Sequence, residues 1–257
     1  MMRVKELLYK ERVKYVPLVY PVAITKRLTH LSKWLGLVLG FSFSIGVMGA
    51  DVHNLVPNNI SEWEDQGWQH GTSSKDDSIV IYTQREPNSR FKAFRAITKI
   101  NASIKDSVAL LNNAQRMPQW LFKCQSAVVL DKASDSETIW YLITDMPWPT
   151  KDRDTVMRSK IVEFPEQKGV QMIMSTESSL LAKKSSYIRV EEMRGIWQFR
   201  DVGSGVTEVI YEAHADPGGS IPSWLANSFV VEAPMTSLQQ FRKVVQNFSA
   251  SNGLVAE

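Results

Sequence analysis

Strand-like runs crowd the second half of this chain, and most of the intervals between them are too short to carry the chain back for parallel pairing. The runs fall at 127–132, 138–145, 154–164, 170–175, 188–199 and 206–214. Three of the separators are turn-rich: Ser134-Asp135-Ser136-Glu137, Gln167-Lys168-Gly169 and Val202-Gly203-Ser204-Gly205. Parallel neighbours need a crossover of a dozen or more residues, whereas antiparallel neighbours are joined by a tight turn. The sheet is therefore expected to be largely antiparallel.

Helical patterns flank the strands. A capping-box pattern, Ser61 with Glu64 three residues on, opens a short helix over 60–68. Strands are expected at 78–84 and 91–100. Val108, Leu110, Leu111, Ala114 and Met117 recur at helical steps over 103–120, with Pro118 ending the run. The last helix is expected over 222–248, where Val231, Met235, Leu238, Phe241, Val245 and Phe248 form one apolar stripe. Pro234 should kink or thin it. Helix, strands, helix, many strands and a long helix make an α+β order in one domain, with no internal repeat.

Charge is unevenly distributed. Residues 1–50 carry a net +6 and the whole chain +3, so the remainder is net −3. Nucleic-acid binding needs clustered positive charge, and an acidic body excludes that class of partner. The stretch 34–50 is apolar and uncharged, follows Arg27 and Lys33, and ends in Gly49 and Ala50. This is the layout of a signal peptide, with a mature domain over 51–257 and a periplasmic location. At the lower limit of membrane-spanning length, the same stretch could instead tether the domain to the outer face of the inner membrane.

The folded part shows little chemistry. It lacks HExxH, Walker, G-x-S-x-G and G-x-G-x-x-G patterns. His214 and Asp216 are two ligands where a zinc site needs three or four, so neither metal nor cofactor is expected. The single cysteine, Cys124, excludes an internal disulfide and reads as a small packing residue. Neighbouring Glu191 and Glu192 point to opposite faces of an expected strand and cannot share a proton. Trp140, Tyr141, Trp148, Tyr187, Trp197, Phe199, Tyr211, Trp224 and Phe229 remain, spread over strands and last helix. Composition alone does not separate a filled core from the wall of a cavity.

Two sequence blocks separate them. Met146-Pro147-Trp148-Pro149-Thr150-Lys151-Asp152-Arg153-Asp154 is a proline-bracketed tryptophan turn feeding a long strand. The stretch from Tyr211 through His214, Pro217, Gly218 and Gly219 to Trp224 and Asn227 is a last strand turning into a helix. In order and spacing these blocks resemble the START (steroidogenic acute regulatory-related lipid transfer) domains, bacterial exported type, over about 60–252. The resemblance implies the helix-grip fold of the START/Bet v 1-like group: a curved antiparallel sheet wrapped round a long C-terminal helix, with an internal hydrophobic tunnel. It implies a monomeric, non-catalytic carrier of a phospholipid, fatty acid or sterol-like ligand, gated by the 146–152 loop and the last helix. Transient membrane contact through Trp148 belongs to the same picture.

The ligand-binding set that the resemblance implies is Trp140, Trp148, Arg158, Trp197, Phe199, Tyr211, Trp224, Phe229, Val231, Met235 and Leu238. The chain departs from the family at one point. Several members carry a buried arginine paired with an acid on the preceding strand. Here Arg158 follows Arg153 by five residues, a spacing of six falls on Ser159, and 138–144 holds no acid. A less polar tunnel is expected, with no head-group role for Arg158. The alternatives are an enzyme on the same scaffold, with Arg158, Glu191 or His214 facing the tunnel, and a structural adaptor whose core is simply full.

Overall fold

The computed structural model describes residues 67–164, 168–222, 225–226 and 228–253. The stretch 34–50 and most of the helix expected over 60–68 lie outside them. All described residues fall in one compact unit, Pro57–Glu257. The strands are β1 (Gln69–Ser73), β2 (Ile79–Arg85), β3 (Lys92–Ile100), β4 (Cys124–Lys132), β5 (Glu137–Thr144), β6 (Arg153–Phe164), β7 (Gly169–Thr176), β8 (Ile188–Arg189), β9 (Glu192–Asp201) and β10 (Thr207–Asp216). They form one sheet in the order β1-β2-β3-β10-β9-β7-β6-β5-β4, and every neighbouring pair along that path is antiparallel.

The helices are α1 (Ile104–Leu111), α2 (Met117–Trp120) and α3 (Ala233–Gly253). The stripe on α3 is buried as its spacing demands, with Leu238, Phe241 and Val245 each 0% exposed. One hydrophobic cluster joins these side chains to Ile79 on β2, Trp197 on β9, Met157 on β6 and Cys124 on β4. Strands from both ends of the sheet reach the same helix, so the sheet curls round α3 without closing into a barrel. Cys124 is the packing residue its context predicts, its thiol pushed up to about 11 by burial and by Asp145. Among the described residues no helix is long and apolar enough to cross a membrane.

Four local differences from the sequence reading have physical causes. The helix expected over 103–120 breaks at Asn112 and Asn113. The Asn113 side chain accepts from the Arg116 amide, a competing turn, and Pro118 then sits in the first turn of α2, where a missing N–H costs nothing. The strand expected over 188–199 divides, because β8 pairs in parallel with β6 before β9 joins β7 and β10. Glu191 therefore lies in the break, exposed and bonded to Lys183. β1 was not foreseen: its QHGTS sequence has no apolar alternation and contains a register shift at Gly71. The expected disturbance at Pro234 takes the form of a π-helical segment, Ser228–Glu232, just before α3. A proline ring clashes with the carbonyl four residues back, and a wider turn relieves it.

Strand β6 sets the frame for the site. Residue alternation sends Arg153, Thr155 and Met157 to the inner face, and Asp154, Val156 and Arg158 to the outer one. On the outer face Arg189 holds both oxygens of Asp154, at 3.0 and 2.8 Å, with each side chain 1% exposed. The remaining bonds of that guanidinium reach the carbonyls of Ser178, Leu181 and Ala182, and Tyr141 donates its hydroxyl to Asp154. The pair pins the 178–182 segment over the small outer cluster of Ile139, Tyr141 and Val156.

Two predictions follow from this framework. Arg189→Met leaves the Asp154 carboxylate buried and unpaired and should cost about 3–5 kcal/mol. A lower urea midpoint would report it, with part of the loss recovered in Arg189→Met/Asp154→Asn. His214 is bonded to Arg194 (3.1 Å) and Ser89 (3.0 Å). Burial and the Arg194 charge lower its pKa, against opposing Glu86 and Glu192. The folded chain thus resists protonation that the unfolded chain accepts near about pH 6.5. That stability is complete above the unfolded value and is lost as pH falls through the folded one. Between about pH 7.5 and about pH 5, the melting temperature of the native chain should fall further than that of His214→Gln.

Candidate ligand-binding site

A cavity separates the inner face of the sheet from the C-terminal helical segment. It offers about 200 Å³ to the centre of a water molecule, and about 1350 Å³ of unfilled space when its open mouth is included. Its floor is aromatic. Trp197 stacks on Tyr211 with centroids 4.1 Å apart, and Trp120 meets Trp197 edge-on at 5.6 Å. Trp140 stands on the wall beside them, its indole N–H donating to Ser159 Oγ at 2.7 Å. Tyr211 keeps accessible surface although protein surrounds it, so that surface faces the cavity. The lost hydration pushes its phenol up to about 12.

Methionine supplies much of the rest. Met117, Met157, Met172, Met174 and Met193 all line the cavity. Met172 and Met174 alternate on β7 and so share a face. Beneath them Gly195 allows a close approach: a Cβ there would lie 2.9 Å from the Glu212 carbonyl oxygen and 3.0 Å from Met174 Cε. Phe229, Val230 and Ala233 bring the start of the last helix to the opposite wall.

Arg153 is the exception on this apolar wall. It is 2% exposed and lines the cavity. Its Nε donates to Pro217 O at 3.0 Å, Nη2 to Gly218 O at 3.0 Å, and Nη1 to Lys151 O. Burial pulls its pKa below the ordinary arginine value, with Asp152 pulling back. The Pro217–Gly219 segment that it grips turns sharply into the last helix, with left-handed φ of +67° at Gly218 and +65° at Gly219. The less polar tunnel expected from the sequence carries one buried arginine on its wall. The residue was visible in the Asp152-Arg153-Asp154 run, but sequence did not reveal that it would face inward.

Of the implied ligand-binding set, the structure brings Trp140, Trp197, Tyr211 and Phe229 to the cavity wall. Phe199 and Leu238, both 0% exposed, lie in the packed core behind it. Val231 and Met235 are half-buried and stand outside the lining. Trp224 lies outside the described residues. Trp148 is 92% exposed at the tip of its turn, before a cis Trp148–Pro149 peptide. Arg158 is a correction: strand alternation places it on the outer face, bonded to Glu177 (2.8 Å) and Glu137 (3.3 Å). It does have an acid on the preceding strand, because β5 begins at Glu137, one residue earlier than expected. The other groups proposed for an enzyme, Glu191 and His214, also stand outside the cavity lining. Among the described residues no cluster of His, Cys, Asp and Glu is suited to hold a metal ion.

The family model for the START domain matches residues 61–251. A protein of Pseudomonas aeruginosa is 30% identical over 200 residues, 78% of this chain and 95% of that one. The phosphatidylcholine transfer protein of Bos taurus is 28% identical over 121 residues, 46% of this chain and 57% of that protein. Among solved structures, a STAR-related lipid transfer protein fragment from Xanthomonas axonopodis superposes with a TM-score of 0.64 at 28% identity, over 70% of this chain and 99% of that one. With the curled sheet, the long last helix and the cavity between them, these matches show that the chain belongs to the START domain family.

Proposed function

We propose that this protein binds a hydrophobic ligand in the cavity between sheet and C-terminal helix and transfers it between membranes. The observation that carries this reading is the cavity itself: walled by aromatic and methionine side chains, and bounded on one side by the start of the last helix. Burying apolar ligand surface there removes it from water and supplies the driving force. The lipid-transfer relatives support the same reading. A phospholipid, a fatty acid and a sterol-like molecule all belong to the class that such a wall accepts.

Loading a lipid-sized ligand requires the cavity mouth to widen. The two segments suited to part are the turn carrying Trp148 and the helical segment after Gly219. A tryptophan has an apolar body and a polar N–H and favours the bilayer interface. Lys151, three residues after Trp148, donates to Ser185 O and ties this turn to the loop that carries Lys183 and Lys184. An exposed indole with lysines nearby suits docking on an anionic leaflet. In this reading the domain is delivered to the periplasm by residues 34–50 and works there as a monomer.

Transfer of a fluorescent phospholipid between vesicles tests the proposal. The native chain should accelerate transfer, and Ala213→Trp, which fills the cavity, should abolish it at an overpacking cost of about 1–3 kcal/mol. Trp148→Ser should slow transfer severalfold while leaving the melting temperature unchanged. No acceleration by the native chain would sink the carrier reading, and undiminished transfer by Ala213→Trp would remove the cavity from it.

A further inference from the structure

The turn between β2 and β3, residues 86–90, is tied to the rest of the domain through three of its side chains. Glu86 pairs with Arg194 on β9. Ser89 Oγ meets His214 Nε2 at 3.0 Å. Arg90 Nη2 donates to Gly219 O at 2.8 Å, in the turn that leads into the last helical segment. The same stretch runs straight into the cavity wall. Phe91 and Lys92 line the cavity, and the Arg90 guanidinium lies 4.8 Å over the Phe91 ring. One short turn thus touches both the cavity and the origin of the segment that bounds it.

His214 is 5% exposed, and the chemistry of its partners fixes its proton. Arginine only donates, so Nδ1, 3.1 Å from Arg194 Nη1, is the acceptor, and the ring is neutral with its proton on Nε2. That proton is donated to Ser89 Oγ, which also accepts from the Phe91 amide at 3.1 Å. Protonating Nδ1 sets donor against donor and cation against cation, and the Arg194 contact is lost. Around the ring stand Glu86 and Arg90 from the turn, Arg194 and Glu192 from β9, Glu212 and Asp216 from β10 itself, and Arg95 from β3. Arg95 pairs with Glu212, Glu86 with Arg194, and Asp216 Oδ1 accepts from Gly218 N. Burial and the Arg194 charge outweigh the pull of Glu86 and Glu192, so the ring titrates below the ordinary histidine value.

We propose that the β2–β3 turn is a latch on the cavity, engaged while His214 is neutral and released when it takes up a proton, so that ligand passes in and out faster in mild acid. Release follows from the chain of contacts. An imidazolium driven off Arg194 gives up the Ser89 hydroxyl, the turn loses its central tie, and the hold of Arg90 on Gly219 loosens. The bonds of Arg153 end at Gly218 O, so the stretch from Gly219 onward is the part set free. Phe91 moves with the turn and widens the cavity on that side. The latch rests on the carrier reading and adds its control by protons.

Transfer of a fluorescent phospholipid by the full purified chain tests the latch, between vesicles of phosphatidylcholine that stay zwitterionic from about pH 7.5 to about pH 5. The native chain should transfer severalfold faster at the lower pH. His214→Gln offers an acceptor to Arg194 and a donor to Ser89 without a titrating ring, so its rate should stay at the native neutral-pH level throughout. Arg90→Gln, at an exposed position, cuts the hold on Gly219 directly. It should be fast at both values, with the melting temperature at neutral pH unchanged. A native rate that is flat with pH, or a rise that persists in His214→Gln, overturns the latch and leaves the carrier reading standing. Arg90→Gln as slow as the native chain at neutral pH overturns the latch as well. No transfer by the native chain at either pH overturns both.

Discussion

The grip of Arg153 on the carbonyls of Lys151, Pro217 and Gly218 is the contact on which the rest of the site depends. It joins the entry of the long central strand to the segment leading into the last helix, across 64 and 65 residues of sequence. One residue further on, Asp154 turns outward and secures Arg189 on the opposite face. Two adjacent buried charges thus fix two different layers, because successive residues of a strand point in opposite directions. The Arg153 tie fixes the turn that precedes the last helical segment, and the helix itself is packed along its stripe. The cavity lies between the inner face of the sheet and the start of that helical segment.

Much of this fold was legible because it follows from period and punctuation. Short turn-rich intervals required antiparallel pairing, and the stripe from Leu238 to Val245 required one long buried helix. Gly218 and Gly219 were legible as a turn, and both adopt the left-handed backbone that glycine tolerates. What escaped was polar or divided. β1 has no apolar face to announce it, and the break between β8 and β9 is set by which strands they pair with, a tertiary matter.

The site was less legible than the fold for a related reason. Trp140, Trp197 and Tyr211 reach the cavity, whereas Phe199 and Leu238 are core, and in sequence all five are large apolar residues on regular elements. Whether such a side chain meets another side chain or a void depends on how far the helix stands from the sheet, which no local pattern records. The Arg158 reading failed on a single-residue matter of parity. Arg153 was in plain view, but its inward direction depends on where β6 starts.

The five methionines of the wall give the cavity a mechanical character different from that of an aliphatic or purely aromatic pocket. An unbranched thioether has three rotatable bonds and refills irregular space at small energetic cost. A wall built from it is compliant, so chains differing in length or unsaturation can be seated with little difference in free energy. Arg153, locked by three backbone carbonyls, is the rigid counterpart of that compliant wall. Under the proposed carrier function, such a container would tolerate variation along the apolar chain of its cargo.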